Sequence, residues 1–150
     1  MVQKITPNLW FDGNAKEAVE FYVSVFPDGK IVDTSYYPEE GLLDFQKNLA
    51  GKELTVDFEI HGQRFTAINA GPEFKFNEAV SFSISCKDQD AIDYYWNKLS
   101  AIPEAEQCGW CKDRYGLSWQ VVPENMAELM QRPGAFSRML EMKKIVIAEF

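Results

Sequence analysis

Apolar and polar residues alternate strictly over residues 53–60, with Leu54, Val56, Phe58 and Ile60 on one side and Thr55, Asp57 and Glu59 on the other. That period of two predicts a half-buried strand. His61-Gly62 reads as a two-residue turn, and residues 63–70 as the returning strand. In this register Phe58 faces Phe65, Val56 faces Ala67 and Leu54 faces Asn69. Glu59 and Arg64 then form an opposite-charge pair on the second face.

Upstream, residues 5–11 predict a first strand, with Ile5, Pro7, Leu9 and Phe11 on one face and Thr6, Asn8 and Trp10 on the other. Pro7 suits an edge or a strand start, because it donates nothing to a ladder. After the Asp12-Gly13 turn, Asn14 is expected to cap a helix, with Glu17 completing a capping-box-like pair. Ala15, Ala18, Val19, Tyr22, Val25 and Phe26 fall on one helical face. A strand over residues 31–37 follows, then a polar loop over 38–51 in which Leu42, Leu43 and Phe45 are expected to pack down.

The same grammar restarts at residue 79. Val80, Phe82, Ile84 and Cys86 alternate against Ser81, Ser83 and Ser85, and Asp88 can cap a helix whose buried stripe is Ile92, Tyr95, Trp96 and Leu99. A weak strand near 105–108, a turn at 113–116 and a β-rich run stopped by Pro123 complete the second copy. The order strand-helix-strand-strand-strand is expected twice, over about residues 2–70 and, in a shorter copy, 79–123. The tail, residues 124–150, carries Met126, Leu129 and Met130, then Phe136, Met139 and Leu140, at helical spacing, and Pro133-Gly134 splits it in two. Such an apolar appendage covers either its own body or a partner subunit.

At 150 residues the chain is one domain or two small packed halves. A net charge of −8 argues against nucleic-acid binding, which needs a basic stripe. No apolar run reaches the length of a membrane span, and the N-terminus lacks a signal-peptide pattern. Three cysteines, an odd number, fit reduced thiols in a cytoplasmic protein. Cys108 and Cys111 form a Cys-x-x-Cys pair that precedes a turn and strand, whereas a redox pair wants its first thiol at a helix N-terminus. Zinc would need two further ligands, and Cys86 and His61 are poorly placed for that. The pair therefore reads as two plain thiols.

The strings TPNLWFDGNAKEAVEFYVSVFP, INAGPEFKFNEAVSFSISC, DYYWNKL and CGWCKDRYGLSWQVVP carry more than generic grammar. They resemble the PhnB-like branch, labelled 3-demethylubiquinone-9 3-methyltransferase, of the vicinal-oxygen-chelate (glyoxalase/bleomycin resistance/dioxygenase) superfamily. The resemblance implies an α+β fold of two βαβββ modules, each curving a sheet around a cavity, with a helical tail and often a homodimer. It also implies where the superfamily's metal ligands would fall: Thr6 or Asn8 on the first strand, then Asn69, Ser81 and Gln120.

Those residues are neutral, whereas a divalent transition ion is held by imidazole and carboxylate. The expectation is therefore no metal and no cofactor. The same positions suit a small-molecule pocket, with Thr6, Asn8, Trp10, Asn69, Ser81, Ser83, Ser118 and Gln120 converging and Phe58 and Phe65 among the apolar walls. Trp110 could stack over its mouth or belong to the core, and Tyr115 and Gln120 are the candidates for chemistry. Binding of a small, partly apolar molecule is the leading expectation. The alternative is a superfamily enzyme (lyase, dioxygenase or the labelled methyltransferase) acting on an aromatic or oxo-acid substrate.

Overall fold

The computed structural model describes residues 3–150, so the expected start of the first module at residue 2 lies outside the described residues. The chain divides into two units, Met1–Lys75 and Phe76–Phe150.

Unit one runs β1 (Asn8–Asp12), α1 (Ala15–Val25), β2 (Lys30–Tyr36), a 3-10 turn at Asp44–Leu49, β3 (Glu53–Ile60) and β4 (Gln63–Ala70). The sheet order is β1-β4-β3-β2, with β1 parallel to β4 and the other pairs antiparallel. The hairpin has the expected register, Phe58 opposite Phe65 and Val56 opposite Ala67. His61 and Gly62 turn it with φ of 49° and 73°, the left-handed pair that matches the twist of two antiparallel strands. Tyr22 of α1 stacks on Phe58 at 5.9 Å, and Phe58 on Phe65 at 5.4 Å. With Ala15, Ala18, Val19 and Val25 buried beside them, this face of the sheet is filled core. Each large side chain buried there contributes about 1.5–3 kcal/mol.

Several local expectations change. The first strand begins after Pro7, whose carbonyl accepts from Thr66 N at 2.9 Å, and Ile5 is 84 % exposed. Asn14 makes no side-chain cap. Instead Asn69, reaching from β4, accepts from Ala15 N at 3.2 Å and satisfies a donor that the first turn leaves orphaned. Glu59 does lie opposite Arg64 in the register, but the guanidinium makes its ion pair with Asp57 at 2.7 Å, while Glu59 lies 3.4 Å from Lys30. In the 38–52 connection Leu43 and Phe45 are exposed, and Leu49 is the side chain that packs down.

Unit two runs β5 (Ser81–Cys86), α2 (Gln89–Leu99), a 3-10 turn at Pro103–Ala105, β6 (Trp110–Lys112) and β7 (Ser118–Pro123), in sheet order β5-β7-β6. Asp88 caps α2 as expected, its Oδ1 accepting from Ala91 N at 2.9 Å, and Ile92, Tyr95, Trp96 and Leu99 are buried. The strand expected at 105–108 is not formed. Cys108 and Gly109 both adopt positive φ, 39° and 89°, and fold residues 107–110 into a tight turn. Only a bridge between Gln107 and Trp110 remains, and the strand itself shifts to β6.

The tail, α3 (Met126–Leu129) and α4 (Ala135–Leu140) with the residues after them, packs on unit two itself. Cys108 N and Gly109 N donate to Met142 O and Lys143 O, and Gln89 binds Ile145 O and Ile147 N. Leu129, Ala135, Met142 and Ile145 are buried, whereas Phe136 and Leu140 face out. A Cβ at Gly109 would sit 3.1 Å from Ile145 Cγ1 and 3.2 Å from Val121 O, so close approach as well as φ requires glycine there.

Candidate functional site

The ends of β1, β3 and β4 and the connection over residues 38–52 enclose a cavity of about 530 Å³ within unit one. Trp10, Asp12, Ile68 and Ala70 come from β1 and β4, Leu54 from β3, and Tyr37, Phe45, Gln46, Asn48, Leu49 and Lys52 from the connection; Gly71, Pro72 and Glu73 close it behind β4. Its walls are held by named bonds. Trp10 Nε1 donates to Gly71 O at 2.9 Å, and Phe74 meets the indole edge-on at 4.8 Å. Tyr37 donates its hydroxyl to Asn69 O at 2.6 Å. Burial, and then the charge of Glu73, push the Tyr37 phenol above its ordinary pKa. The walls are mainly apolar with a few polar groups among them, the usual make-up of a small-molecule site.

Unit two carries a second surface of interest. Pairing of Ser81 with Ser118, Ser83 with Gln120 and Trp110 with Gln120 sets these five side chains on one face of the sheet. Gln120 Nε2 donates to Ser81 Oγ at 2.9 Å. Ser118 Oγ is buried and has no hydrogen-bond partner. Lys112, on the same face by its pairing with Ser118, forms an ion pair with Glu78.

The expected pocket lining in unit one needs correction. Thr6, Asn8 and Trp10 do lie away from the packed face, but Phe58, Phe65 and Asn69 lie on it, 1 %, 4 % and 3 % exposed. They pack beneath α1, because the side chains that alternate with Trp10 and Ile68 must point to the helix. Asn69 also has its polar atoms committed: besides capping α1, its Nδ2 donates to Glu53 O at 3.0 Å. It is a staple between α1, β3 and β4. Of the expected lining in unit one, only Trp10 and Leu54 reach the cavity.

Tyr115 is held by its backbone, its N donating to Asp113 Oδ1 at 2.8 Å, and its hydroxyl is buried. Asp113, read from sequence only as a turn residue, is fully buried. Its Oδ1 accepts also from Leu117 N at 3.1 Å, and its Oδ2 from Trp119 Nε1 at 2.9 Å. This carboxylate builds the turn that launches β7. The signal for it was available, since Asp-x-x-Gly is a side-chain-to-backbone turn pattern. Nothing in the alternation, by contrast, marked Tyr37, Leu49, Lys52 or Glu73 as cavity residues.

The superfamily's metal ligands do not fit here. Asn69 faces the core, Ser81 and Gln120 bond one another, and amide or hydroxyl oxygens hold transition ions poorly. Among the described residues no three His, Cys, Asp or Glu side chains cluster as a metal site requires. Two of the thiols, Cys86 and Cys111, are buried and equally unsuited to redox exchange. Burial raises Cys86 to about 11 and Cys111 to about 12, with Asp88 adding at the first and Asp113 and Glu106 at the second.

Residues 3–122 match the family described as 3-demethylubiquinone-9 3-methyltransferase. The chain belongs to that family. The PhnB protein of Bacillus cereus, which carries the same methyltransferase description, is 33 % identical; the alignment covers 80 % of this chain and 99 % of that one, with a TM-score of 0.64. A protein of Pseudomonas aeruginosa shares the fold at 18 % identity and a TM-score of 0.61, covering 81 % of this chain and 98 % of its own. The fosfomycin resistance protein FosX of Mesorhizobium loti does so at 14 % identity and a TM-score of 0.53, covering 88 % and 100 %. Among curated proteins none matches this family member significantly. Membership places the chain in the vicinal-oxygen-chelate superfamily, with its glyoxalase-type α+β fold. Among the described residues no helix is long and apolar enough to cross a membrane.

Proposed function

We propose that this chain binds a small, partly apolar molecule in the unit-one cavity without the help of a metal ion. The observation that carries the reading is the cavity itself, about 530 Å³ in volume with Trp10, Leu49, Leu54 and Ile68 as apolar wall. That volume falls in the range of ligand sites, and a few polar groups in an apolar lining give orientation as well as affinity. A homodimer, implied by the family resemblance, is part of the same reading.

An enzymatic role on an aromatic or oxo-acid substrate is the second reading. It is favoured by the face of unit two on which Gln120 and Ser81 are joined, near a buried Ser118 hydroxyl. Methyl transfer has the family description alone in its support. Donors of the adenosylmethionine type usually sit on a doubly wound parallel sheet, and neither sheet here is one.

Native mass spectrometry of freshly purified protein is the test, reporting subunit count, metal and any retained small molecule together. A metal-free dimer carrying an organic molecule, lost when Ala70→Trp fills the cavity, is the expected result. A stoichiometric transition ion, or a retained molecule unaffected by the filled cavity, would refute it. Turnover that collapses in Gln120→Ala and Tyr115→Phe would favour the enzymatic reading.

A further inference from the structure

Resting on the unit-one cavity as a ligand site, we propose that its ligand is an amine, with a protonated nitrogen on an apolar body about the size of a substituted ring. Two carboxylates, Asp12 and Glu73, and one ammonium, Lys52, line the cavity and are exposed to solvent. Among the described residues none of these three side chains forms an ion pair or a hydrogen bond, so both carboxylates remain available. Two negative groups against one positive leave the lining net negative, and the chain's overall charge of −8 has the same sign.

Tyr37, whose hydroxyl donates to Asn69 O within the wall, lies close enough to Glu73 for that charge to add to burial in raising its pKa. Trp10 and Phe45 add ring surfaces to the same lining, and an indole face attracts a cation further. An apolar carboxylate would meet two like charges for one opposite. An uncharged molecule would use only the floor.

The test follows the Trp10 indole N–H in 15N-labelled full-length protein, assigned by its loss in Trp10→Phe. Three probes share one body and differ in charge: 3-phenylpropylamine, propylbenzene and 3-phenylpropanoate. At low ionic strength the amine is expected to bind roughly fivefold more tightly than propylbenzene, the size that exposed charge contacts allow, with the carboxylate weakest. The advantage shrinks in 0.3 M salt, where screening acts within a few ångströms. Asp12→Asn combined with Glu73→Gln removes the amine's advantage over propylbenzene, and each single change removes part of it. Equal binding of all three probes, or tighter binding of the carboxylate, overturns the amine assignment while leaving the cavity a ligand site. No probe moving the Trp10 resonance overturns both.

Discussion

Replacing Asp113 by asparagine changes one oxygen to an NH2 group at a site with no access to water. Asp113 Oδ1 accepts from Tyr115 N at 2.8 Å and Leu117 N at 3.1 Å, and Oδ2 accepts from Trp119 Nε1 at 2.9 Å. An asparagine keeps its oxygen toward one side only. If it faces the two backbone donors, its NH2 is set against the indole N–H; if it is flipped, two backbone donors lose their acceptor. The milder orientation leaves one buried donor unsatisfied, costing about 1–3 kcal/mol. The two remaining bonds lose their charge assistance, about 1 kcal/mol each. Against this stands relief from burying a charge, which is small where the charge is fully hydrogen-bonded. The expected net loss is about 3 kcal/mol. Urea unfolding followed by tryptophan emission, in which Trp119 reports on this turn, should show the midpoint falling by roughly 1–3 M. A stability within about 0.5 kcal/mol of the parent would mean that the turn does not depend on the carboxylate.

Asn69→Ala should cost about 2–4 kcal/mol in the same assay, since it strands Ala15 N and Glu53 O together, and Asn69→Asp should recover only the helix cap. In the folded protein a thiol reagent at pH 8 should modify only Cys108, with Cys86 and Cys111 reacting only at the rate of unfolding. The same two thiols should make stability fall in alkali. In the unfolded chain they ionise near 9.0, while in the fold they hold their protons to about 11 and about 12, so their contribution is complete below pH 9 and is lost as pH climbs toward 12. A flat stability curve over that window in the wild type, compared with Cys86→Ala, would refute it.

Alternation and helical spacing were enough to read the architecture, and the reasons are local. The hairpin register of β3 and β4 follows from the two-residue turn and the period of two, and the α2 stripe from its spacing and the Asp88 cap. What stayed hidden depended on partners far apart in sequence. Asn69 alternates in phase with Phe65 and Ala67, which correctly puts it on their face; only the position of α1 reveals that this face is core and not cavity wall. The exchange of Arg64 from Glu59 to Asp57 is set by side-chain reach along the strand, which pairing alone does not fix. The cavity arises where the 38–52 connection folds back, and Leu49 pins that connection while its more hydrophobic-looking neighbours Leu43 and Phe45 remain largely exposed. Unit two's polar face was readable because every member sits on a strand.

The backbone amides of Cys108 and Gly109 find their acceptors only at residues 142 and 143, and Ile145 closes over the same turn. During synthesis, therefore, the first 75 residues can settle while the ribosome is still at work, yet the second half must wait with its central turn open until residues 142–145 have been made. A nascent chain arrested near residue 130 should expose that unfinished edge to chaperones and proteases, and the short stretch that follows serves as the latch.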